Sequence, residues 1–66
     1  MKIIFNGHSR EISNALTIRA FLDNLKLNPE IVAVELNLAI IPKNQYDNKI
    51  ISEGDKIEII SFVGGG

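Results

Sequence analysis

No cysteine occurs anywhere in these 66 residues. That absence removes a disulfide framework, a thiolate metal site and a cysteine nucleophile together, and it fits a reducing compartment. Histidine is nearly absent too: His8 stands alone, with no nucleophile placed beside it for acid–base work, and it reads as a surface residue. No apolar run approaches the roughly 20 residues of a membrane span. Lys2 is followed by only three apolar residues, Ile3-Ile4-Phe5, which is not the layout of a signal peptide. The expectation is therefore a cytoplasmic protein without a membrane partner. Charge of one sign is also missing. The formal net charge is −1, and the seven basic residues are scattered singly among acidic ones, so no basic face exists to offset nucleic-acid phosphates. A chain this short is one domain that buries only about 60% of its unfolded surface. With no disulfide or metal to help, it rests on its apolar core.

The apolar residues are arranged in recognisable periods. Lys2-Ile3-Ile4-Phe5 reads as a strand, and Asn6-Gly7 after it is the strongest short hairpin signal, since a type I′ turn requires φ > 0 at both central residues. The return strand, about His8 to Ile12, is polar and should be exposed. Leu16 and Thr17 open a helix, with Thr17 as N-cap and Leu16 and Phe21 at hydrophobic-staple spacing. Ile18, Phe21, Leu22 and Leu25 fall at i, i+3, i+4 and i+7 on one face, and Asn28-Pro29 is expected to end the helix. Ile31 to Leu36 reads as a strand with Val32, Val34 and Leu36 buried. Asn37 begins a turn, and Ala39-Ile40-Ile41 is a short strand stopped by Pro42. Tyr46 sits alone in a polar loop, Lys43 to Lys49, and is expected to pin it to the body. Glu53-Gly54-Asp55 is a turn, and Lys56 to Phe62 forms the last strand. The pattern does not say which of Ile40 and Ile41, or of Ile50 and Ile51, faces the core.

This order is an α+β architecture: a mixed sheet with one helix across one face. With the first and last strands adjacent at its centre it becomes the β-grasp, or ubiquitin-like, fold. The expected organisation is a β-grasp domain over residues 1–63 and a flexible glycine tail over 64–66.

The last strand and the tail carry the functional signal. Ile57 and Ile59 share one face, and the same alternation sends Ile60 and Phe62 outward with Lys56 and Glu58. Large apolar side chains on a solvent face mark partner surfaces, so Ile60, Phe62 and Val63 are candidate partner-binding residues. The alternative is a bulge at Ile59-Ile60 that turns Ile60 inward. Gly64-Gly65-Gly66 then projects the chain's carboxylate by about 10 Å. Without a Cβ, such a tail can thread a narrow slot. An α-carboxyl with a pKa of about 3.3–3.7 is ionised at neutral pH and is a poor acyl donor. It needs activation, for which ATP is the usual means: the carboxylate oxygen attacks the α-phosphate and an acyl-adenylate forms. The chain has no GxxxxGK[ST] loop, no metal-ligand cluster and no Ser/His/Asp set. It reads as a substrate of enzymes and not as an enzyme, with no catalytic residues and no bound cofactor; ATP would be consumed by the activating partner.

The chain resembles the ThiS family of sulfur carrier proteins of thiamine (thiazole) biosynthesis over essentially its whole length. The matching stretches are Ile3-Ile4-Phe5-Asn6-Gly7, Thr17-Ile18 with Phe21-Leu22, Val32-Ala33-Val34-Glu35-Leu36-Asn37, Ile40-Ile41-Pro42-Lys43, Glu53-Gly54-Asp55 with Ile57-Glu58-Ile59, and Phe62-Val63-Gly64-Gly65-Gly66. Tyr46 stands where many members carry Trp or Tyr. The resemblance implies that a ThiF-type enzyme adenylates Gly66 with ATP and that a sulfur donor protein converts it to a thiocarboxylate. A ThiG-type thiazole synthase then takes the sulfur. Gly65 and Gly64 would give the slim approach to both enzymes. Other readings are a molybdopterin synthase small-subunit type of carrier, a non-catalytic ubiquitin-like binding module docking through Ile60, Phe62 and Val63, and a protein modifier joined to lysines.

Overall fold

The computed structural model describes residues 1–62. Strand β1 (Lys2–Phe5) turns back through Asn6-Gly7 into β2 (His8–Glu11), with Lys2 opposite Glu11 and Phe5 opposite His8. Both turn residues have positive φ, 48° at Asn6 and 85° at Gly7, as the type I′ pattern requires. All four residues of β2 are exposed, consistent with an edge strand of polar composition.

A two-residue strand β3 (Leu16–Thr17) leads into helix α1 (Ile18–Asn24). The Thr17 hydroxyl accepts the Ala20 backbone N–H at 3.0 Å, so the expected N-cap is present. The helix stops earlier than Asn28-Pro29. Leu25 is its C-cap, and Lys26 takes a left-handed φ of 59°. The Lys26 N–H then donates to the Asp23 carbonyl at 3.0 Å and the Leu27 N–H to the Leu22 carbonyl at 2.9 Å. This paired closure satisfies the last helical carbonyls and turns Leu27 onto the core. Asn28-Pro29 instead starts a separate 3-10 turn, Pro29–Ile31, capped by the Asn28 side-chain oxygen, which accepts the Glu30 N–H at 2.9 Å. Ile31, expected as the first residue of a strand, belongs to that turn.

Strands β4 (Val32–Leu36) and β5 (Ala39–Ile41) form a second hairpin through Asn37 and Leu38, both at positive φ. A 3-10 turn (Lys43–Gln45), the short β6 (Ile50–Ile51) and β7 (Lys56–Ser61) complete the chain. The main sheet runs β2-β1-β7-β4-β5, with β1 and β7 parallel at its centre and the other pairs antiparallel. Leu16–Thr17 pairs with Ile50–Ile51 in a second, two-stranded sheet that has no sequence signature, because two residues carry no alternation to read.

One face of the main sheet holds Ile3, Val32, Val34, Leu36, Ile57 and Ile59 against Ile18, Phe21 and Leu22 of α1, all buried. Phe5 meets Phe21 edge-on, with ring centroids 5.3 Å apart. Ile41 and Ile51 join this core, whereas Ile40 and Ile50 face outward. Tyr46 is buried at 3% exposure, as expected of an anchor, and its hydroxyl lies 3.5 Å from the Val32 carbonyl. Burial raises the Tyr46 pKa above its ordinary value; a backbone hydrogen bond at Val34 acts weakly in the other direction. The helix-on-mixed-sheet arrangement, with the terminal strands parallel at the centre, is the β-grasp fold.

Candidate functional site

The strand that leads toward the tail is clamped on both sides. Toward β4 the antiparallel ladder is continuous, with Val34 opposite Ile59, Ala33 opposite Ile60 and Val32 opposite Ser61, and the Phe62 N–H donates to the Ile31 carbonyl at 2.8 Å. Toward β1 the strand partner has already turned away, and the Asn6 side chain takes its place. Asn6 Oδ1 accepts the Ile59 N–H at 2.8 Å, and Asn6 Nδ2 donates to the Ile59 carbonyl at 3.3 Å. The residue that makes the hairpin turn possible thus also closes the parallel ladder.

Because the β4–β7 ladder has no extra residue, a bulge at Ile59-Ile60 is excluded and strict alternation holds. Ile57 and Ile59 point into the core. Ile60 and Phe62 point away from it, at 61% and 66% exposure. Beside Ile60 on this outer face lies Ala33 of β4. Glu35 of β4 stands between Glu58 of β7 and Ile40 of β5, and Ile40 is itself 67% exposed. Lys43 Nζ sits 5.9 Å from the centre of the Phe62 ring, a cation–π contact. The face is therefore a band of apolar side chains, Phe62, Ile60 and Ile40, with Glu35, Glu58 and Lys43 placing charge of both signs around it. Exposed apolar patches of this kind, rimmed by polar groups, are what distinguishes partner surfaces from ordinary solvent-facing sheet. Ile40 was not singled out from the sequence: Ala39-Ile40-Ile41 has no polar residue to set its parity, and only the pairing with Glu35 does so.

Val63, Gly64, Gly65 and Gly66, the remaining residues singled out from the sequence, lie outside the described residues. Among the described residues no group of three or more His, Cys, Asp or Glu side chains could hold a metal ion. His8 is exposed on the edge strand β2. No helix among the described residues is long and apolar enough to cross a membrane.

Fold and face together define a ubiquitin-like β-grasp domain that presents an apolar sheet face beside the strand entering its glycine-rich end. Comparison with known proteins narrows this. A model of the ThiS family matches residues 3–66. Sulfur carrier protein ThiS of Bacillus subtilis is 44% identical over 50 residues, covering 76% of each chain, and that of Escherichia coli is 27% identical over the full length of both. A thiazole synthase of Paramagnetospirillum magneticum is 44% identical across all 66 residues, yet the chain spans only 20% of that protein. The crystal structure of thiamine biosynthesis protein ThiS from Geobacter metallireducens superposes with a TM-score of 0.86 at 30% identity, covering both chains completely. The chain belongs to the ThiS family.

Proposed function

We propose that this protein is a sulfur carrier of thiamine biosynthesis that works in the cytoplasm. A ThiF-type enzyme activates the Gly66 carboxylate: its oxygen attacks the α-phosphate of ATP, pyrophosphate leaves, and an acyl-adenylate forms. Sulfur from a donor protein then displaces AMP, leaving a thiocarboxylate on Gly66. A ThiG-type thiazole synthase takes this sulfur for thiazole formation, and the carrier returns with a carboxylate. Gly65 and Gly64 supply a backbone slim enough to enter the two active sites. Ile60, Phe62 and Val63 supply the docking surface. The carrier contributes no catalytic group and binds no cofactor; ATP belongs to the activating enzyme.

The observation that carries this reading is the extent of the family match, which runs through the glycine segment to Gly66. The similarity to thiazole synthases favours the thiazole pathway over molybdopterin synthesis. The test is the intact mass of the purified protein after incubation with a ThiF-type enzyme, ATP and a sulfur source. The expected result is replacement of one carboxylate oxygen by sulfur, mapped to Gly66, and no such product when Gly66 is deleted from an otherwise folded protein. Sulfur incorporation by the truncated chain, or none in the full chain beside an active control carrier, refutes the proposal.

A further inference from the structure

The Asn6-Gly7 pair is more than a turn, because the Asn6 amide is the piece that latches β7. Both of its polar atoms are bonded to the backbone of Ile59, 53 residues away. The same amide stands immediately before a glycine with open space where a Cβ would project. An asparagine followed by an unhindered glycine is chemically labile. The Gly7 backbone nitrogen can attack Asn6 Cγ, closing an imide ring. The Cγ–Nδ2 bond breaks, and the side-chain nitrogen leaves as ammonia with the proton lost by the Gly7 nitrogen. Water then opens the ring at one of its two carbonyls, leaving at this position either an aspartate or its β-linked isomer. Solvent water is the sole co-reactant, and nothing is oxidised or reduced.

We propose that Asn6 is a spontaneous modification site gated by its own latch. While Oδ1 and Nδ2 are held on Ile59, Cγ is restrained from swinging back to the Gly7 nitrogen, so the imide closes only when the latch opens. Neither product can restore both latch bonds as they stood. The aspartate product retains an acceptor for the Ile59 N–H but turns a carboxylate oxygen, where a donor stood, toward the Ile59 carbonyl. The β-linked isomer adds a methylene to the backbone of a turn that needs φ near its present 48°. The reaction therefore loosens the β1 side of β7 at Ile59, beyond the backbone bond from the Asn6 N–H to the Ile57 carbonyl. This inference is independent of the sulfur-carrier reading.

The test follows conversion of Asn6 by peptide mapping during incubation of the full chain at mildly alkaline pH, beside a synthetic peptide of residues 3–9 in the same buffer. Two hydrogen bonds of ordinary net strength should slow the folded chain by about ten- to hundredfold relative to the peptide. Equal rates would overturn the gate. Denaturant well below the unfolding transition separates the opening modes. A rate that barely responds supports local opening of the latch, whereas a rate that tracks global unfolding overturns it. The purified Asn6→Asp variant should show faster amide exchange at Ile59 and Ile60 than the parent, with the core amides of α1 unchanged. Unaltered exchange at Ile59 would refute the consequence drawn for β7.

Discussion

Replacing Phe62 with alanine separates a docking residue from a core residue, because the two roles predict opposite balances of stability and affinity. Phe62 is 66% exposed, so about a third of it is covered. Full burial of such a side chain contributes about 1.5–3 kcal/mol, so partial burial contributes about 0.5–1. The Lys43 contact at 5.9 Å adds about 0.5–1 kcal/mol at an exposed site. Phe62→Ala should therefore cost about 1–2 kcal/mol. In a domain this small, that lowers Tm by roughly 5–15 °C. The same substitution in a core costs about 3–5 kcal/mol, enough to unfold a domain whose whole stability is of that order. Affinity should respond more strongly. An aromatic anchor at the centre of an interface is worth about 2 kcal/mol or more, so Kd for the ThiF-type enzyme should rise about thirtyfold. The assays are thermal melting by circular dichroism and calorimetric titration against that enzyme. Ile59→Val is the control: inward-facing and 9% exposed, it should cost about 0.5–1.5 kcal/mol and leave Kd unchanged. A loss of about 3 kcal/mol or more, on the order of a core truncation, would mean that Phe62 is core. An unchanged Kd would remove the outer face from the docking surface.

Further substitutions probe the fold itself. Lys26 occupies the left-handed position after α1 where glycine is preferred, so Lys26→Gly should raise stability by about 0.5–1 kcal/mol in urea titration; a decrease would show that the Lys26 side chain matters more than its φ. Asn37→Gly keeps the positive φ of the β4–β5 turn but removes the side-chain bonds to the Lys56 N–H at 2.9 Å and to Asp55 at 3.1 Å, and should cost about 1 kcal/mol by the same method. Tyr46 has a folded pKa raised above its unfolded value, chiefly by burial. The stability this confers is complete below about pH 10, where the unfolded phenol titrates, and is lost as pH rises through the folded value. Tyr46→Phe should thus melt with a shallower alkaline decline than the parent, and parallel declines in the two proteins would contradict the burial argument.

Much of the fold is legible along the chain because its cues are local. The positive-φ demand of a two-residue hairpin selects Asn6-Gly7. A hydroxyl one residue before an i, i+3, i+4, i+7 pattern places the start of α1 at Thr17. Alternation in Lys56–Phe62 puts Ile60 and Phe62 outward, and so most of the apolar face of the candidate site could be read from sequence. The end of the helix could not. Proline at position 29 marks where a helix must already have stopped, whereas Lys26 bears the left-handed φ because Leu27 then packs on the core. The two-residue strands at Leu16–Thr17 and Ile50–Ile51 are too short to have a period, and they exist only as each other's partner. Ile40 joins the outer face for the same kind of reason: in an unbroken apolar run, parity is set by the strand alongside, here Glu35 opposite Ile40. Asn6 shows the division most sharply. Its place in a turn follows from its neighbour in sequence, but its hold on Ile59 depends on bringing together the two ends of the chain. Local sterics and periodicity can be read residue by residue; hydrogen bonds and packing between residues far apart in the chain are decided only when the tertiary structure closes.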